Sequence, residues 1–143
     1  MKSRTLLLAA LLLGLPALAV ATQALARSPA PPEAQLYIAA PADGATVSSP
    51  VTVVFGLQGM GVAPAGVTHP KTGHHHLLIN ADPPALDQPI PNDKQHLHFG
   101  AGQTETRIDL PPGRHTLQLI LGDHQHVPHE PPVVSEKISI TVK

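Results

Sequence analysis

Ten histidines stand against nine lysines plus arginines in this 143-residue chain. All ten fall between His69 and His129, and most come close together. The groups are His74-His75-His76, His96-Leu97-His98 and His124-Gln125-His126, with His129 just beyond. Residues i and i+2 of a strand point to the same face. A His-x-His pair therefore sets two imidazoles side by side, the simplest metal chelate a strand can carry. Neutral imidazole ligates both zinc and copper. Zinc takes four ligands with Zn–N near 2.0–2.1 Å, and Cu(II) prefers tetragonal nitrogen and oxygen donors.

The candidate ligands are His74, His76, His96, His98, His124, His126 and His129, of which three or four would hold one copper or zinc ion. His75 faces the other side of its strand from His74 and His76, and would replace that pair if the inward parity were reversed. Asp123 beside His124 and Glu130 beside His129 are candidate ligands or acceptors for imidazole N–H groups. Met60 is the only methionine after the first residue, so a soft Cu(I) site is weakly supplied. Two plainer readings stand beside the designed site. One is a solvated histidine rim that takes up metal adventitiously. The other is a pH-sensitive cluster whose rings repel one another on protonation.

Composition narrows the chemistry further. With no cysteine, the chain has no disulfide, thiolate metal site, blue-copper centre, Fe–S cluster or cysteine nucleophile. Charged residues make up 13% and the formal net charge is −1, which leaves no basic surface for nucleic acid. Aromatic residues at 2% supply no stacking platform for bases.

The elements that must position the rings begin after a targeting segment. Met1-Lys2-Ser3-Arg4, an apolar run from Thr5 to Ala21, and Ala24-Leu25-Ala26 form the pattern of a secretory signal peptide over 1–26. Export to the periplasm or the medium is expected, with no membrane attachment after cleavage. The first histidine of the processed chain is His69, which rules out a copper site built on an N-terminal histidine. Residues 27–33, Arg-Ser-Pro-Ala-Pro-Pro-Glu, read as a proline-rich disordered leader. The folded domain is expected over 34–143.

Prolines break every helix-length pattern after residue 33, and short β-type runs lie between turn signals. Seven are expected, over 36–40, 51–57, 75–79, 95–99, 104–110, 115–121 and 134–142. This spacing predicts an all-β chain, an immunoglobulin-like antiparallel sandwich of about seven strands. Its core would comprise Val53, Phe55, Leu77, Ile79, Ile108, Leu110, Leu117, Leu119, Leu121, Ile138 and Ile140. In such a sandwich the loops after the second, fourth and sixth strands meet at one end. The three histidine groups are expected to converge there, with His69 able to join them. His115 follows Pro111-Pro112-Gly113 at the opposite end and reads as structural.

The segments Thr72 to Ile79, Gln95 to Gly100 and Gly122 to His129 resemble a bacterial domain-of-unknown-function family, number forty-three ninety-nine. Pro41 to Pro50 and Pro131 to Ile138 match its pattern too. The resemblance covers essentially the whole processed chain. It implies a stable exported single domain and marks the histidine segments as its signature, without naming a metal.

The reading with most support is a metal-binding protein for sequestration, delivery or resistance, with another envelope protein as a possible partner. An enzyme reading needs an open metal position and a base, for which Glu105 or Asp123 is the candidate. An envelope interaction module with an incidental histidine rim is the third.

Overall fold

The computed structural model describes residues 25–143, so the expected signal peptide lies almost wholly outside the described residues. The strands are β1 (Gln35–Ala40), β2 (Thr46–Val47), β3 (Val51–Gln58), β4 (Gly61–Val62), β5 (Thr72–Ile79), β6 (His96–His98), β7 (Glu105–Ile108), β8 (Gly113–Gly122) and β9 (Ile138–Val142). There is no helix among the described residues. One sheet has the order β1-β3-β7, and the other runs β2-β9-β8-β5-β4 with β6 also on β5. The chain is an all-β sandwich.

All seven expected strands are present. The two-residue strands β2 and β4 are additional, and both pair in parallel, β2 with β9 and β4 with β5. The seventh strand starts at Ile138 rather than 134. Its expected first residues instead run irregularly beside β8. Val134 forms an isolated bridge to Ile120, and Ser135 N–H donates to the Leu119 carbonyl at 2.9 Å. β5 starts at Thr72 rather than 75, because Gly61 and Val62 pair with Thr72 and Gly73.

Every residue expected in the core is buried in one cluster between the sheets. Alternation decides which residues these are. In β8, Leu117, Leu119 and Leu121 point inward, and in β5 so do Leu77 and Ile79. Burying a leucine or isoleucine side chain contributes roughly 1.5–3 kcal/mol each. The other face of β5, with His74, His76 and Leu78, is also covered. Leu78 packs with Ile120 and with Ile90 of the 80–95 loop in a second small cluster. Gly73 to Ile79 are consequently buried without a break. A strand buried on both faces is the setting that can shield histidine rings from water.

The 27–33 segment, expected as a disordered leader, makes specific backbone contacts. Pro29 forms a parallel bridge with Glu130, and Ala34 N–H donates to the Pro31 carbonyl at 3.0 Å. Proline limits this segment's conformations but leaves its carbonyls free to accept, and its polar neighbours find partners on the 123–130 loop.

Candidate metal centre

Four imidazoles meet on the outer face of the larger sheet. β5 supplies His74 and His76 from one side of the strand. β6 supplies His98, because the antiparallel register sets His98 directly opposite His76. The loop after β8 supplies His126. The His74 ring centroid lies 4.8 Å from His76, 5.0 Å from His98 and 5.0 Å from His126. His98 lies 5.0 Å from His76 and 4.8 Å from His126, and His76 lies 6.1 Å from His126.

Nitrogens of three of the four rings converge as well. His74, His76 and His98 each offer one ring nitrogen, and the three atoms lie within 4.8 Å of one another. His76 Nε2 and His74 Nε2 are 3.0 Å apart. A tetrahedral site with Zn–N near 2.0–2.1 Å has nitrogens about 3.3 Å from each other, so the pair is close to chelating distance. His74 Nδ1, His76 Nδ1 and His98 Nε2 are buried without a hydrogen-bond partner. An unpaired buried polar atom costs about 1–3 kcal/mol, and such atoms are few in folded proteins.

Two glycines make room for the rings. A Cβ on Gly122 would lie 2.9 Å from His76 Nε2, and one on Gly100 would lie 2.3 Å from His98 Cε1. Neither position has the left-handed backbone that would itself call for glycine. The requirement is the space the imidazoles occupy.

Burial first, and neighbouring imidazoles second, favour the neutral form of His74, His76 and His98, the form whose lone pairs bind metal. Burial, then the charges His126 and His98 would carry, pushes His74 down to about 4, although Asp123 pulls the other way. Burial, then His74, His98 and His126, pushes His76 down to about 2. His98 is lowered by burial and by His126.

His126 is presented by a tight turn. Its N–H donates to the Asp123 carbonyl at 2.9 Å. Asp123 Oδ1 accepts the N–H groups of Gln125 at 2.9 Å and Val127 at 3.1 Å. His126 itself has φ of 68°, in the left-handed region. That conformation costs a non-glycine residue roughly 1–2 kcal/mol, so the surrounding bonds must hold it.

Three expected ligands stand outside the cluster. His96 lies opposite Leu78, one same-face step along β5 from His76, and such steps span roughly 6.6 Å. Its Nδ1 pairs with the Asp93 carboxylate at 2.9 Å. His124 lines a cleft with His69, Pro70 and Thr72, and its carbonyl accepts Gly66 N–H at 3.0 Å. His129 is buried, its Nε2 donating to the Thr72 carbonyl at 3.1 Å with Nδ1 3.4 Å from the Leu121 carbonyl. It ties β5 to β8.

The remaining histidines are placed elsewhere. His75 points inward, its ring centroid 5.1 Å from Phe55, and Nδ1 donates to the Gln103 carbonyl at 3.2 Å. His115 Nε2 donates to the Pro111 carbonyl at 2.8 Å, and Asn80 Nδ2 donates to His115 Nδ1 at 3.0 Å. It has the structural role its position suggests. His69 is exposed beside the Pro70 carbonyl. Met60 packs against the main core, and Glu130 takes an ion pair with Arg27.

The convergence does not arise as the loop-end argument expects. It comes from lateral pairing of β5 with β6 and from the outer face of the sheet. The inward pattern His75-Leu77-Ile79 already sends His74 and His76 outward. Gly100, two residues after His98, marks a ring that needs space. Ser28, whose hydroxyl donates to Asp123 Oδ2 at 2.7 Å, carried no recognisable signal.

A family model described as Domain of unknown function (DUF4399) matches residues 53–143. The chain belongs to the DUF4399 family. The matched span runs from β3 to β9 and contains all four rings of the cluster, while the 27–33 segment precedes it. No curated protein and no solved structure matches the chain.

Proposed function

We propose that this DUF4399 chain is an exported binding protein for one copper or zinc ion. His74, His76 and His98 supply three imidazole nitrogens and His126 the fourth. The observation that carries this reading is the meeting of four imidazoles from three separate segments, with one ring nitrogen from each of His74, His76 and His98 within 4.8 Å of the others. An adventitious rim would leave its rings in water and diverging. Here His74 and His76 are fully buried, and glycines at 100 and 122 leave the volume the rings need.

The donor set is all nitrogen, which suits zinc and Cu(II) better than Cu(I), whose preferred partners are sulfur ligands. Sequestration or delivery is favoured over catalysis. Glu105 sits on β7, in the opposite sheet from the cluster. Both oxygens of Asp123 are engaged, by Ser28 and by backbone N–H groups. Neither candidate base is placed to activate a metal-bound water. The N-terminal pattern supports a periplasmic or secreted location, where such a protein would buffer an ion or pass it to an envelope partner.

Competition titration of the untagged protein with Cu(II) and Zn(II) tests this reading. Saturable one-to-one binding in the submicromolar range supports it. Weak binding of several equivalents, rising with the number of exposed histidines, overturns it.

A further inference from the structure

The first residues of the folded chain are tied to the loop that carries His126. Ser28 Oγ donates to Asp123 Oδ2 at 2.7 Å. Arg27 Nε donates to the Pro128 carbonyl at 3.0 Å, and its terminal nitrogens reach the Glu130 carboxylate and the His129 carbonyl. Ala30 N–H donates to the Glu130 carbonyl and Glu130 N–H to the Ser28 carbonyl, each at 2.9 Å. None of these bonds ends on an imidazole of the cluster.

Asp123 connects this segment to the site. One carboxylate oxygen receives the Ser28 hydroxyl, and the other receives the N–H groups of Gln125 and Val127, the two neighbours of His126. His126 depends on that turn, because it sits in a backbone region that non-glycine residues rarely adopt, with φ of 68°. His74, His76 and His98 depend on nothing similar, since regular strand pairing holds them.

We infer that Arg27–Ala30 is a strap that sets how many imidazoles the metal receives. Docked, it braces the Asp123 turn and keeps His126 over the other three rings, closing a four-nitrogen site. Released, it leaves His74, His76 and His98 with one coordination position open. Four closed ligands suit retention of an ion, and three ligands with an open position suit exchange with water or a partner's ligand. Ser28 and Asp123 are positioning residues in this scheme, acting on the metal only through His126. The inference rests on the metal-binding reading above.

The test compares the untagged protein with Arg27→Ala/Ser28→Ala, His126→Ala and Ser28→Thr. Cu(II) paramagnetic resonance with nitrogen counting is recorded at one equivalent. Amide exchange at Gln125 and Val127 is measured without metal. The double variant is expected to expose both amides, to lose one imidazole nitrogen as His126→Ala does, and to bind roughly 10–100-fold more weakly, the usual effect of losing an outer support. Ser28→Thr keeps the hydroxyl and is expected to retain the four-nitrogen spectrum. Four nitrogens in the double variant would overturn the strap while leaving the metal site standing. If the unaltered protein showed no saturable site, the metal reading and the strap's role would fall together. Faster amide exchange alone, with an unchanged copper spectrum, would make the segment structural only.

Discussion

His76 and His98 are direct cross-strand partners, and their ring centroids lie 5.0 Å apart. The pairing of β5 with β6 therefore places one ligand from each strand on the same face. A shift of register by one residue would turn the β6 rings to the other side of the sheet. The short strand β6 thus fixes which of its two histidines joins the site.

That register separates two histidines that look equivalent as a His-x-His pair. His98→Ala is expected to weaken Zn(II) or Cu(II) binding by roughly hundredfold or more, beyond the effect of losing an outer support. His96→Ala removes a ring that pairs with Asp93 and is expected to change affinity by less than about threefold, since exposed pairs of this kind contribute little. Competition titration of the two single variants checks this. Equal losses from both would contradict the register.

Much of the fold follows from alternation alone. Leu117, Leu119, Leu121, Ile138 and Ile140 occupy every second position, and each is buried in the main core. The outward parity of His74 and His76 is legible in the same way, because Leu77 and Ile79 claim the inward face with His75. What alternation does not carry is the partner of β6. Three residues are too few to announce which strand they pair with, and the choice of β5 brings His98 rather than His96 to the cluster. His126 is equally illegible, because its turn is bonded to the carboxylate of Asp123, which in turn accepts from Ser28, 95 residues earlier in the chain. The contacts of the 27–33 segment are illegible for a related reason. Its composition is that of a linker, and nothing local announces the bonds of Arg27 and Ser28 to a distant loop.

Stability of the metal-free protein is expected to fall as pH drops below about 6.5. The unfolded rings of His74 and His76 protonate near the ordinary histidine value. The folded rings are held down to about 4 and about 2, in each case by burial first and neighbouring imidazoles second. Between those values the unfolded state binds more protons, so unfolding is favoured by acid. The groups facing these rings are His98, His126 and His75, which add to the depression, and Asp123, which opposes it at His74. Each ring contributes a slope of at most roughly 1.4 kcal/mol per pH unit. Denaturant unfolding at a series of pH values from 7.5 to 4.5 reads this directly. Stability that stayed flat over that interval would show that the rings are not held neutral by the fold.

His115→Ala is expected to separate stability from binding. The ring bridges the Pro111 carbonyl and the Asn80 side chain, so its loss leaves both without that partner. A cost of about 1–3 kcal/mol is expected. The site on the outer face of β5 is made from other residues, so metal affinity should stay within about threefold. Thermal unfolding and competition titration on the same sample give both quantities. Loss of metal affinity without loss of stability would reverse the assignment.

The most direct test of the central claim is Cu(II) paramagnetic resonance of the untagged protein at one equivalent, with the coordinated imidazole nitrogens counted. The account predicts a single copper species with four nitrogen ligands, reduced to three by His126→Ala and unchanged by His96→Ala or His124→Ala. A mixture of species, or a nitrogen count that responds to His96 or His124 and not to His126, would contradict it.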